Sequence, residues 1–184
     1  MNRLIRPTRR SVLLGAAAMT LPRIAGAQTS FEVLEPKVSS AQILPASYPQ
    51  TEIWGYGGTS PGPEIRVMQG ARVQRRLVNS LEQPHSVHWH GIRIDNAMDG
   101  VPDLTQAAVA PGATFDYDFV APDAGTYWYH SHFKSTEQVD RGLYGALIIE
   151  EAEAIDIDRE EVLILDDWLM RETGEMDPDF DAQM

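Results

Sequence analysis

The sequence predicts an all-β domain, a sandwich or barrel of short strands. Three observations carry this expectation. Residues 114–119 alternate, with Phe115, Tyr117 and Phe119 set between Thr114, Asp116 and Asp118, the period of two that marks a half-buried strand. Turn-forming clusters recur at short intervals between Ser60 and Gly125, as they do in folds built from many short strands. No long segment holds the 3.6-residue apolar period of an amphipathic helix.

In chain order, strands are expected over Phe31–Leu34, Ile65–Met68, Val73–Val78, Ser86–Ile94, 114–119, Thr126–His132 and Gly145–Glu150. Turn signals separate them: Ser60-Pro61-Gly62-Pro63, Gln69-Gly70, Asp99-Gly100, Pro111-Gly112 and Pro122-Asp123-Ala124-Gly125. Residues 28–150 are long enough for an independent core, since a domain of about 120 residues buries roughly two-thirds of its extended surface. Beyond Glu150 the composition changes. Residues 150–184 carry 14 acidic side chains against Arg159 and Arg171. Ala152–Glu160 reads as a solvated linker, and Val162-Leu163-Ile164-Leu165 as a buried strand opening a second domain.

The first 27 residues contain Arg3, Arg6, Arg9, Arg10 and Arg23 and no acidic residue. A short apolar run, Val12–Met19, and an Ala25-Gly26-Ala27 cleavage site complete the pattern of a signal peptide, in preference to a buried N-terminal helix. Arg9-Arg10 directly before the apolar run reads as a twin-arginine signal; a Sec signal that happens to carry two arginines is the alternative. Periplasmic localisation and passage through the twin-arginine export machinery are therefore expected.

Without the five arginines of the leader, ten basic and 27 acidic residues remain, a formal net charge near −17. Nucleic acid and anionic membrane surfaces are poor partners for such a chain. No apolar stretch after the leader reaches the roughly 20 residues needed to cross a bilayer, so no stable membrane insertion is expected. There is no cysteine, which removes thiolate nucleophiles, Cys-based zinc sites and blue-copper centres from this chain.

Four of the five histidines form two His-x-His pairs, His88/His90 and His130/His132. On a strand, residues i and i+2 share a face, with Cα atoms about 6.5–7 Å apart at a rise near 3.3 Å per residue. Two imidazoles so placed can converge on one metal or serve two neighbouring ones. Four unrelated polar residues are a poor explanation of two same-face pairs. Imidazole suits copper, zinc, iron and nickel, and without thiolates the ligand set favours zinc or copper. His85 has the opposite parity to His88 and His90 and should face away. Trp89 and Tyr129 should pack as core aromatics on the opposite face, with Trp128 the exception by parity.

His88-Trp89-His90-Gly91 and Trp128-Tyr129-His130-Ser131-His132 resemble the first two copper motifs of the multicopper oxidases, the laccase-like family. The resemblance covers most of Leu44–Trp168 and includes Pro61-Gly62-Pro63, Asp99-Gly100-Val101, Pro111-Gly112 and Leu143-Tyr144-Gly145. It implies a cupredoxin-like Greek-key β-sandwich for residues 28–150. It also implies copper as the cofactor, with His88 on the type 2 copper, His90 and His130 on one type 3 copper, and His132 on the other. Asp99 matches an acidic residue near the type 2 copper that could relay protons; an ordinary Asp-Gly turn explains it equally well.

The chain departs from that family in one large respect. The family's trinuclear cluster takes eight histidines, and four are present here. The C-terminal motifs H-P-x-H-x-H-G and H-C-H, the latter supplying type 1 copper ligands, are absent. The reading that follows is the N-terminal part of an exported oxidase that couples one-electron substrate oxidation to reduction of oxygen to water. Its partners would be copper, oxygen and further C-terminal cupredoxin domains, and the 184-residue chain alone would be inactive. A non-catalytic periplasmic copper-binding module, a zinc hydro-lyase-type site and an oxidase fold that has lost its copper are the alternatives.

Replacing Arg9 and Arg10 by lysine is expected to hold the precursor in the cytoplasm. Cell fractionation checks this, and normal export of the double variant would point to a Sec signal.

Overall fold

The structure, a computed structural model, describes residues 30–153 and 156–180. The expected leader over 1–27 lies outside the described residues. Nine strands are formed among them: β1 (Glu32–Leu34), β2 (Pro36–Ala41), β3 (Thr51–Tyr56), β4 (Ile65–Met68), β5 (Arg72–Val78), β6 (Val87–His90), β7 (Thr114–Val120), β8 (Gly125–Ser131) and β9 (Tyr144–Glu150). A single 3-10 turn, Asn96–Met98, and one short helix, α1 (Ser135–Asp140), interrupt them.

The strands make a three-stranded sheet in the order β1-β5-β7, a four-stranded sheet in the order β4-β9-β8-β6, and a separate β2-β3 ladder. After β4 the chain alternates between the two larger sheets, so β5 and β7 lie in one and β6, β8 and β9 in the other. Their inner faces meet in one core. Val73, Leu77, Tyr117 and Phe119 come from one sheet, and Ile65, Val87, Trp89, Tyr129, Leu147 and Ile149 from the other. Trp89 makes the join: its ring is edge-on to Tyr117 at 5.5 Å and to Phe119 at 5.0 Å across the sandwich. A wholly buried tryptophan of this kind contributes on the order of 5 kcal/mol from area alone.

All seven expected strands are present, six of them with shifted ends. The fourth is shorter than expected because Gly91 takes a φ of 83° and leaves the β region after His90. Two strands were not anticipated. β2 begins at Pro36 and is polar, and β3 alternates through Thr51, Ile53 and Gly55, where a hydroxyl and a glycine hide the apolar period. The six-residue helix α1 is too short to display a helical period.

The expected buried strand over 162–165 does not form. Those residues pair with nothing, and Leu163 and Leu165 are 83% and 95% exposed. An apolar run alone does not make a strand; it needs a neighbouring strand to take its backbone groups, and no described strand does. The segment after it returns to the sandwich. Thr51 donates to the Gly174 carbonyl at 3.0 Å. The Arg141 guanidinium lies between the rings of Trp54 and Phe180, 4.7 Å from each.

His85 faces inward, as its parity requires, and is fully buried. Its Nδ1–H donates to Gln138 at 2.8 Å and its Nε2 accepts from the Tyr56 hydroxyl at 3.0 Å. Burial pushes its pKa down to about 4 from the ordinary 6.5. Above pH 6.5 both folded and unfolded chains hold it neutral. As pH falls from 6.5 to 4, the unfolded chain takes up a proton that the folded one refuses. Stability should fall by roughly 3 kcal/mol over that window through His85. Denaturant unfolding at pH 7 and pH 4 checks this, and the loss should be smaller in a His85→Gln variant.

Candidate metal centre

The site is built by the register of two antiparallel strands. β6 pairs with β8 so that Val87 faces Ser131, His88 faces His130, Trp89 faces Tyr129 and His90 faces Trp128. Side chains alternate across a sheet. Val87, Trp89, Tyr129 and Ser131 therefore enter the core, while His88, His90, Trp128 and His130 share the outer face. His132 follows the end of β8, and its N–H donates to the Ser86 carbonyl at 3.2 Å, which continues the pairing by one residue.

His88 is the centre of the patch. Its ring centroid lies 5.4 Å from His90, 5.4 Å from His130 and 5.3 Å from His132, edge-on to all three. His130 and His132 are 6.2 Å apart with nearly parallel rings. Trp128 stacks on His130 at 4.0 Å and tilts over His90 at 5.0 Å. This indole covers one side of the imidazole pair and restricts its rotation.

Three of the four rings have one nitrogen committed. His88 Nδ1–H donates to the backbone carbonyl of Asp99 at 2.7 Å. His130 Nδ1–H donates to the Ser131 carbonyl at 2.8 Å. Each bond leaves Nε2 as the lone-pair nitrogen, the usual way a partner on one nitrogen orients a metal-binding histidine. His90 Nδ1–H donates to His130 Nε2 at 3.2 Å, which leaves its own Nε2 unprotonated. His130 is buried, and burial, with a smaller contribution from the other three histidines, lowers its pKa to about 4. It is neutral near pH 7, with its Nε2 lone pair engaged by His90.

The Asp99 carboxylate lies 3.4 Å from His88 Nδ1, beside the patch. Asp99 also closes the 3-10 turn as its C-cap, and Gly100 has a φ of 78°. A Cβ on Gly100 would sit 1.8 Å from the Val87 carbonyl oxygen. Only glycine lets this loop lie against β6 and carry the Asp99 carbonyl to His88. Gly62 and Gly145 act similarly on β8. Added Cβ atoms there would meet the Tyr129 hydroxyl at 2.8 Å and 2.4 Å. Their absence lets Tyr129 lie flat in the core and donate to the Pro63 carbonyl at 2.6 Å.

His88, His90 and His130 offer nitrogens within 4.8 Å of one another. Two nitrogens bound at 2.0–2.1 Å to one ion are at most about 4.2 Å apart. Small ring rotations therefore suffice to close the trio on one ion, or to divide it between adjacent ions. The donor set, all imidazole, fits copper or zinc. Sequence reasoning did not reach Ser131 and Gln138, which hold the second histidine pair from behind; polar residues of that kind give no signal in a single sequence.

A two-layer β-sandwich carrying four imidazoles on one strand pair defines the chain as a metal-binding cupredoxin-like domain. The sequence profile of the family described as multicopper oxidase matches residues 37–154. Copper resistance protein A of Pseudomonas syringae pv. tomato is 46% identical over 113 residues, 60% of this chain and 18% of that protein. The multicopper oxidase MmcO of Mycobacterium tuberculosis is 45% identical over 114 residues, 61% of this chain and 22% of that protein. The crystal structure of Lac15 from a marine microbial metagenome superposes with a TM-score of 0.76 at 47% identity, over 80% of this chain and 39% of that one. The chain belongs to the multicopper oxidase family, and membership implies copper as the metal. It spans about a fifth of the length of the curated relatives it matches.

His88→Ala combined with His132→Ala should weaken copper binding at least a hundredfold in a metal titration. His85→Ala should leave the number of coppers bound unchanged, because its ring points into the core. An equal loss of sites in both would refute the parity argument.

Proposed function

We propose that this domain supplies half of the ligands of a trinuclear copper cluster in an exported oxidase. The observation that carries the reading is the patch itself, His88 with the imidazoles of His90, His130 and His132 grouped around it. In this reading His88 holds the type 2 copper, His90 and His130 one type 3 copper, and His132 the other. The 3.2 Å approach of His90 Nδ1 to His130 Nε2 supports assigning them to one ion, which would replace the proton between them. Further cupredoxin domains would supply the other four histidines and the type 1 copper. The fraction of the relatives' length that this chain spans is in keeping with that.

Copper, when bound, supplies the one-electron redox chemistry that couples substrate oxidation to reduction of oxygen to water. The protein's part is positional and protonic. The Asp99 carbonyl and the Ser131 carbonyl hold two rings in one tautomer, so no proton has to leave before metal binds. Trp128 keeps water from one side of the pair. The Asp99 carboxylate, beside His88 and partly exposed, is placed to pass protons between solvent and the cluster. Copper delivery in the periplasm, after twin-arginine export, fits the leader and the acidic charge of the remaining chain.

The purified chain with Cu(II) should bind the metal weakly, develop no type 1 absorption, and consume no oxygen with phenolic or cuprous substrates. Oxygen electrode traces and visible spectra check this. Appreciable oxygen uptake would show that the four histidines are not half of a larger set.

A further inference from the structure

Behind the histidine patch lies a buried hydrogen-bond network that the proposed copper ligands do not include. Gln138, Ser131, His85 and Tyr56 are all inaccessible to solvent. Gln138 is the one buried residue of α1, a helix of six residues that starts at Lys134 in the left-handed region with no side-chain cap. A single isolated turn of this kind has little stability of its own. Gln138 is its buried tie to the sheet, beside a contact from the Ser135 hydroxyl to the Ser131 carbonyl.

The protons in this network have one consistent arrangement. Gln138 Nε2 lies 3.0 Å from the Pro84 carbonyl, which can only accept, so that end of the amide is the donor. The amide oxygen then faces Ser131 Oγ at 2.6 Å and His85 Nδ1 at 2.8 Å, and both must donate to it. His85 is thereby the Nδ1–H tautomer, and its Nε2 accepts from the Tyr56 hydroxyl. Ser131 Oγ, with its proton committed to Gln138, accepts the Phe133 N–H at 3.3 Å. Every group in the chain of contacts is satisfied, in a place where an unsatisfied one would cost about 1–3 kcal/mol.

The network ends on the site. Ser131 sits between His130 and His132, and its carbonyl is the acceptor that orients the His130 ring at 2.8 Å. Its N–H donates to Leu143 at 3.0 Å. The Ser131 peptide is therefore held through its side chain by Gln138 and through its backbone by Leu143, just ahead of β9, and the His130 imidazole hangs from it. We infer that Gln138 and Ser131 are positioning residues for the His130–His132 ligand segment, with His85 as their buried anchor. This assignment rests on the proposed copper role of that segment. Outer partners of metal-bound histidines commonly govern affinity by 10–100-fold, and a contact acting through one intervening peptide belongs at the lower end.

The test is titration of the full chain with Cu(II) alone, read by affinity and by EPR hyperfine splitting. Ser131→Ala removes the link to Gln138 and leaves the carbonyl in place. It should bind copper about tenfold more weakly with an altered splitting. Gln138→Leu should do the same or more, and if it fails to fold, Ser131→Ala decides. Ser86→Ala is the control: an equally buried hydroxyl on the neighbouring strand, with no hydrogen-bond partner. It should bind within about twofold of wild type if packing alone is not at work. Wild-type affinity in Ser131→Ala, or an equal loss in Ser86→Ala, would overturn the assignment. If the wild-type chain binds no copper, the cluster reading fails instead. Imidazole NMR of the metal-free chain then decides the positioning role: His130 should be a single Nδ1–H tautomer in wild type and a mixture in Ser131→Ala, and no difference would overturn it.

Discussion

The register between β6 and β8 is the constraint on which the rest of this domain depends. One antiparallel pairing sets Trp89 and Tyr129 into the core and His88 and His130 opposite each other outside it. A slip of one residue would exchange the faces, burying imidazoles and exposing an indole and a phenol. The energetic preference for the observed register comes from the aromatic side. Trp89 contacts Tyr117, Phe119 and Tyr129, and Tyr56 contacts Tyr129. The histidine face is thus positioned by apolar packing on the reverse of the same strands. It does not rely on attraction among the histidines, which repel one another when protonated.

Close backbone approach at three glycines completes that geometry. Gly62 and Gly145 make room for the Tyr129 ring, and Gly100 lets the 95–106 loop rest on Val87. Each removes a Cβ where another group must lie, so each connects a sequence feature to the placement of a ligand strand. The same loop delivers the Asp99 carbonyl to His88. On the other side, the Ser131 carbonyl does the equivalent for His130. One ring on each histidine-bearing strand thus donates to a backbone carbonyl.

The outer face of the β5–β7 pair follows a different logic. Arg72 pairs with Asp118 and Arg76 with Asp116 across the strands. These contacts are exposed and contribute little to stability. They do separate an acidic chain's charges on an open sheet face. The described residues of the acidic segment after Glu150 join none of the sheets and meet the sandwich at Arg66, Thr51, Arg141 and Tyr144.

Much of this architecture was legible in the amino-acid order. Alternation at 114–119, the two His-x-His pairs and the opposite parity of His85 are consequences of a two-residue repeat, a local property of an extended chain. The family motifs around Gly62, Gly100 and Gly145 were visible too, though not their reasons. What the order of residues could not settle was which strands pair. β2 and β3 were hidden by polar and small residues, and the apolar run at 162–165 suggested a strand that the described residues offer no edge to complete. Nor could the order of residues place the Asp99 carbonyl on His88. Ser131 and Gln138 gained a role only through contacts with residues far along the chain. Side-chain parity is decided by covalent geometry one residue at a time and can be read directly. Pairing, close approach and hydrogen-bond partners are decided by the whole sandwich closing on one core, and they exist only once it has closed.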